Sequence, residues 1–215
     1  MTELESFYKE RINFFSQQIS EISKKTTTVS WARVAIAVIT LGLVYFLFHE
    51  PALIWLVILG VIGYAYLVSV HEKLKYKLKL AKNQHAINEA EQKALNGDLS
   101  FFGEGTQYID GNHHFAVDLD IFGKGSIFQL LNRTSSEPGS ELLASMLANP
   151  LRDKKEILDR QEAIKELGPK AEFRQMFQAI GMASGEKEKD HQQLLHWLKL
   201  DSLVFGKPIY KIALI

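Results

Sequence analysis

The chain has 215 residues, with 25 basic and 25 acidic side chains and a formal net charge of zero. That balance argues against a nucleic-acid protein working through a broad basic field, and the absence of cysteine excludes disulfides, thiol nucleophiles and zinc–thiolate sites. The charges are unevenly placed: Val34 to Val70 spans 37 residues with one formal charge, Glu50, so the other 178 residues hold 49 of the 50.

Residues 1–28 read as an amphipathic helix. Tyr8, Ile12, Phe15, Ile19 and Ile22 follow a 4-3-4-3 spacing, which Leu4 extends back by four. That is a narrow apolar seam suited to a partner helix. Residues 29–70 read as a transmembrane helical hairpin. Val34 to Phe48, preceded by Trp31 and Ala32, and Ala52 to Val70 are two apolar runs split by His49-Glu50-Pro51. The second is long enough to cross about 30 Å of hydrocarbon; the first needs Arg33 to snorkel to the interface. A helical hairpin buried in a soluble core is the plainer alternative. A signal peptide is disfavoured, because eight charges precede the run and no small-residue cleavage site separates the two halves.

Lys24, Lys25 and Arg33 precede the hairpin, Lys73, Lys75, Lys77, Lys79 and Lys82 follow it, and its loop has no Lys or Arg. The positive-inside rule then puts both ends in the cytoplasm, which makes the chain a multi-pass protein of the inner (cytoplasmic) membrane with lipid as a partner. Residues 71–98 read as a basic amphipathic helix. Leu74, Leu78, Ala81 and His85 repeat the seam spacing, and Asn96-Gly97 stops it. Lys73 to Leu80 alternates like a strand, but it continues a membrane helix and is read as helix, with its lysines a solvated basic face rather than a dedicated headgroup site. The two flanking helices are expected to pair as antiparallel extensions of the hairpin.

Residues 99–125 read as an irregular connector. It has glycines at 103, 105, 111, 123 and 125, turn chemistry at Asp110-Gly111-Asn112, and room for a short hairpin around Tyr108 and Phe115. Asp110, His113, His114, Asp118 and Asp120 resemble a metal-ligand set. Adjacent histidines diverge in an extended chain, however, so surface turn residues are the preferred reading and no metal ligand is assigned.

Residues 126–215 read as a helical module, incomplete at its C-terminal end. Ser126 caps a short helix, and Ser136-Glu137-Pro138 starts a second that Asn149-Pro150 ends. Asp153-x-x-Glu156 opens a third with Ile157, Ala163, Ile164 and Leu167 on its apolar side, ended by Gly168-Pro169. Phe173, Met176, Phe177 and Ile180 line a fourth, stopped by Gly181; Asp190 caps a fifth with Leu194, Leu195 and Leu198. Leu203 to Ile215 has the pattern of a further apolar helix opening at Pro208, either a third membrane segment or a core helix, the former favoured by Lys207 and Lys211 on its cytoplasmic side.

The stretch from Val117 to Leu167 is more specific. Leu119-Asp120-Ile121-Phe122, Ser126-Ile127-Phe128, Leu130-Leu131-Asn132-Arg133-Thr134, then Gly139 with Leu142-Leu143, Leu147 and Asn149-Pro150-Leu151, and last Ile157, Arg160-Gln161, Ala163-Ile164 and Glu166-Leu167 occur in that order. Together they resemble the opening of the core (lever) domain, domain III, of the MutS family of DNA mismatch repair ATPases. The expected fold is all-α: the membrane hairpin and amphipathic flanks read from the apolar runs precede a helical module, which the resemblance implies is a packed lever linking an ATPase to a DNA-embracing clamp. The resemblance also implies ATP and Mg only in a domain downstream of residue 215, DNA as a partner of the full-length protein, and a homodimer formed through regions beyond this chain.

Departures accompany it. Glu141 stands where the family has arginine, and Thr134-Ser135-Ser136 replaces Thr-x-Thr. No Gly-x4-Gly-Lys-Ser/Thr loop occurs anywhere, and Gly185-Glu186-Lys187 does not supply one. The family's Phe-x-Glu reader is matched only by the chance triplets Phe102-Gly103-Glu104 and Phe48-His49-Glu50. No catalytic or cofactor-binding residue is assigned, and a non-enzymatic membrane-tethered scaffold is the alternative function.

Overall fold

A computed structural model describes residues 2–47, 50–185 and 196–198. It is helical, with no strand among the described residues. The helices are α1 (Glu3–Leu47), α2 (Ile54–Leu95), α3 (Ile127–Leu131), α4 (Glu137–Ala148), α5 (Lys154–Leu167) and α6 (Ala171–Ser184). Single 3₁₀ turns occur at Pro51–Leu53 and Thr106–Tyr108.

The 45 residues of α1 and 42 of α2 make rods of about 68 and 63 Å that pack antiparallel along their length. Neither breaks where composition changes, at 28/29 or at 70/71. The polar run Thr26-Thr27-Thr28-Val29-Ser30 is helical, and each of its hydroxyls is satisfied by donating to the carbonyl four residues back, at 2.8–3.0 Å. The seam residues Ile12, Phe15, Ile19 and Ile22 turn toward α2, with Phe15 buried, whereas Leu4 at the frayed end is exposed. Lys73 to Leu80 is helix throughout.

Both rods are long and apolar enough to cross a membrane by length and composition. Their hairpin halves carry exposed apolar side chains (Leu41 is 70% and Trp55 74% exposed), and the first buried residue of α2 is Ala81. Among the described residues none covers this band. The rods approach closely at Gly60, where a Cβ would lie 2.3 Å from Thr40 Oγ1. Gly60→Leu is therefore expected to destabilise the detergent-solubilised protein by roughly 1–3 kcal/mol through overpacking. Gly42→Leu, facing open space, should leave thermal unfolding followed by circular dichroism unchanged.

After α2, Gly97 adopts φ +85° and the chain turns into the connector. The short hairpin expected around Tyr108 and Phe115 does not form. Local turns use the backbone groups a ladder would need: Tyr108 N donates to Gly105 O, Ile121 N to Ala116 O and Phe128 N to Ile121 O. Left-handed residues at Asp120, Gly123 and Gly125 break any extended run. The connector instead collapses on Phe128, which is fully buried, with the Tyr108 and Phe122 rings each 5.5 Å away.

The caps read from sequence are present. Ser126 accepts from Gln129 N, Ser136 from Gly139 N and Asp153 from Glu156 N. Two expectations change. Gly181 does not stop α6, which runs to Ser184 and ends at Gly185 with φ +62°; Gly181 is a close-approach residue whose Cβ would fall 2.0 Å from Ser135 Oγ. The buried face of α6 is Gln175, Ala179 and Ala183; Phe173, Phe177 and Ile180 are exposed, and Met176 at the edge accepts from Gln84 Nε2 on its sulfur at 3.6 Å. On α5, Ile157 is half-buried but Ile164 and Leu167 are exposed. The expected helix capped by Asp190 with Leu194 and Leu195, and the segment 203–215, lie outside the described residues; Leu198 is described and exposed.

Candidate functional site: the junction of rods and core

The far half of α2 carries Ala81, Gln84, Ile87, Asn88 and Ala90, all buried, and receives the small-residue face of α6. Spacing of four along α6 (Gln175, Ala179, Ala183) produces a flat strip that lets the two axes come close. The interface is held by polar groups. Asn88, fully buried, donates Nδ2 to Gln175 Oε1 at 3.2 Å and to Gln84 O at 2.7 Å, while Gln175 Nε2 returns a bond to Asn88 Oδ1 at 2.9 Å.

The first rod joins the same network. Arg11 Nε donates to Gln175 Oε1 at 2.8 Å and Nη1 to Glu172 Oε1 at 3.0 Å, with the guanidinium between the Phe7 and Phe15 rings. Farther along α6, Asn83 Nδ2 donates to Ala179 O, and Lys79 Nζ donates to Ala183 O in the last turn, where a cation also meets the negative end of the helix dipole. Both rods and the core are thus tied at one place.

A second tie starts at Leu130-Leu131-Asn132-Arg133-Thr134. Arg133 donates two bonds from its fork to Glu91 on α2, the Nη2 bond at 3.1 Å, and stacks on the Phe102 ring with its carbon 3.5 Å from the centroid. Planar stacking plus a bidentate carboxylate is a geometry lysine cannot reproduce. Asn132 Oδ1 accepts from the Thr134 amide and hydroxyl, shaping the turn from α3 to α4, and Gln129 Nε2 donates to the Leu99 and Phe102 carbonyls. Between the two ties lies an open cleft of about 640 Å3, with Tyr8, Glu91, Arg133, Phe173 and Arg174 among its walls. Burial raises the Tyr8 phenol pKa above its ordinary value, helped by Glu91 and opposed by Arg174 and Arg133.

The residues considered from sequence fall as follows. His113 is a structural link: Nδ1 accepts from the Phe115 and Ala116 amides, so Nε2 carries the proton and donates to Ala148 O at 3.1 Å. Asp110 closes its own turn by accepting from Asn112 N. His114, Asp118 and Asp120 do not join them, and among the described residues no three His, Cys, Asp or Glu side chains gather to hold a metal ion.

Phe102 is occupied beneath Arg133, while the Gly103 and Glu104 carbonyls accept from Asn132 and Gly123. Phe48 and His49 lie outside the described residues, as do Glu186 and Lys187. Glu141 is exposed on α4. Sequence reasoning missed Arg11, Asn88 and Gln175. The available signal was an asparagine at a core position of α2, continuous in register with Ala81 and Gln84. These residues form a mechanical joint: they fix one element to another and bring no nucleophile to a base.

A family model described as MutS domain III matches residues 111–205. The DNA mismatch repair protein MutS of Finegoldia magna is 51% identical over 107 residues, covering 46% of this chain and 11% of that protein. The protein of the same name from Listeria monocytogenes is 28% identical over 109 residues, 47% of this chain and 13% of its own length. That of Chlamydia abortus is 40% identical over 61 residues, 28% of this chain and 7% of its own. The matched part therefore spans only about an eighth or less of these relatives. No solved structure matches the chain. The Asn132-Arg133-Thr134 turn and the capped helices that follow it lie within the matched residues, and the helical module of this chain is similar to domain III of MutS proteins.

Proposed function

We propose that the chain anchors a MutS-like protein to the cytoplasmic membrane, with both ends of the hairpin and the core region on the cytoplasmic side. The supporting observation is continuity: α1 and α2 each run unbroken from the uncovered apolar band to the polar joint with α6. A core region fixed to two such rods is held at a set distance from the bilayer. The sequence has no Gly-x4-Gly-Lys-Ser/Thr motif, and in this reading ATP and Mg would be held by a downstream ATPase domain, which DNA binding and homodimer closure would also need. No step of hydrolysis is assigned to residues present here.

A second reading is a non-enzymatic membrane-tethered scaffold, favoured by the outward apolar side chains of α5 and α6, where Ile164 is 63% and Phe177 71% exposed. Expression from the natural gene separates the two. The first reading expects the product to float with lipid vesicles, to hydrolyse ATP, and to bind duplex DNA with an affinity that falls steeply as salt rises. A product that floats but neither hydrolyses ATP nor binds DNA at low salt would leave the scaffold. Recovery in the soluble fraction without detergent would defeat both.

A further inference from the structure

Resting on that membrane reading, we propose that Arg33 is the phosphate-binding residue of an anionic-phospholipid headgroup site between α1 and α2, at the inner edge of the hairpin. The pairing of the rods sets its depth. Gly60 faces Thr40, Gly63 faces Ile36, and Ser30 Oγ lies 3.4 Å from His71 Nδ1. Arg33 is therefore level with about Leu67, roughly one helical turn (~5 Å) on the apolar side of His71. The apolar run of α2 reaches Val70, so this guanidinium lies inside the uncharged band.

Its surroundings leave it incomplete. Arg33 Nε is buried and meets no hydrogen-bond acceptor. The contact the guanidinium makes is with the face of Tyr64, 5.6 Å to the ring centroid, and among the described residues no carboxylate pairs with it. An unpaired cation at this depth is costly, and arginines within membrane spans find an anion or snorkel to one. Among the described residues none lies there. Glu72 lies on the polar side of His71 and engages Lys75 at 3.8 Å, and Glu50 is at the opposite end of the hairpin.

A second copy of the hairpin carries no carboxylate in this band either, so pairing between copies does not supply the charge. The missing partner is an anion entering sideways from the bilayer. A headgroup phosphate fits, because its two free oxygens match the planar fork and its ester carbons tolerate the apolar walls. Lys24, Lys25, Lys73 and Lys77 on the adjoining turns raise the local concentration of anionic lipid without themselves making the site.

The test uses the full-length protein reconstituted in phosphatidylcholine vesicles with and without phosphatidylglycerol, re-extracted in mild detergent and examined by native mass spectrometry for retained lipid. Retention of phosphatidylglycerol by the wild type is expected to exceed that of R33Q by about tenfold. R33K should fall between them, because it keeps the charge and loses the fork, and K155Q, at an exposed position of α5 away from the hairpin, should match the wild type. Equal retention by R33Q and wild type, or equal retention by R33K and wild type, would overturn the assignment while leaving membrane insertion intact. Displacement of the bound lipid by excess inorganic phosphate would overturn the lipid as its source. Failure of wild type and R33Q alike to enter vesicles would remove the membrane reading itself.

Discussion

Truncating Phe128 to alanine is expected to lower the unfolding free energy of the core region by about 3–5 kcal/mol. Phe128 is fully buried and has the largest apolar side chain in the packed centre of the connector. The Tyr108 and Phe122 rings lie against it, and its own amide donates to Ile121 O, so the ring and the backbone hold the same turn. Tyr108 carries the effect outward through a 3.1 Å hydrogen bond from its hydroxyl to Ser140 on α4. The cavity would open among irregular turns, which cannot slide inward as two helices can.

The same site predicts that addition is as harmful as removal. Gly105 has φ +69°, and a Cβ there would sit 2.5 Å from the Phe128 ring. Gly105→Ala should therefore combine a left-handed strain of about 1 kcal/mol with an overpacking cost of about 1–3 kcal/mol. Phe173→Ala, at a side chain 57% exposed on α6, should shift urea unfolding by no more than about 0.5 kcal/mol. Comparable losses at Phe128 and Phe173 would show that the core lies elsewhere.

Local signals in the sequence were dependable where the chain solves its own problem. Ser126, Ser136 and Asp153 cap the helices they precede, because a cap needs only a short side chain and the next three amides. The seam from Tyr8 to Ile22 found its partner on α2 because a short connection returns the chain antiparallel beside α1. Faces decided by long-range partners were not legible. The rule that apolar residues face inward selected Phe173, Met176, Phe177 and Ile180 on α6, yet α2 presents Gln84 and Asn88 at the contact, and polar partners select Gln175 with alanines beside it.

Gly181 misled for a related reason. Helix-ending glycines and close-approach glycines look alike in a sequence, and only the position of Ser135 distinguishes them. In the connector, glycine and aromatic spacing suited either a strand pair or a turn cluster; the left-handed residues at 120, 123 and 125 decided for turns. The candidate joint was the least legible part. It unites residues from positions 11, 88 and 175, and no single segment carries its pattern.

Replacing Asn88 with leucine should release α6 from the rods. Asn88 makes two hydrogen bonds to Gln175 across this contact, and its loss strands Gln175 Nε2 against an apolar group in a site where Gln175 is only 7% exposed. Leaving one buried amide donor unpaired costs about 1–3 kcal/mol, whereas removing both partners together costs much less. The expected result is a loss of about 2 kcal/mol for Asn88→Leu, a similar loss for Gln175→Leu, and a double variant at least about 1 kcal/mol more stable than the sum of the two. Arg11 sharpens the test, because its Nε bond to Gln175 disappears in both variants that lack Gln175 while its bond to Glu172 survives. Limited proteolysis within 168–185 should accelerate in Asn88→Leu and return toward the wild-type rate in the double variant. Additive losses would mean that the alanine strip, and not the amide pair, holds the core region to its rods.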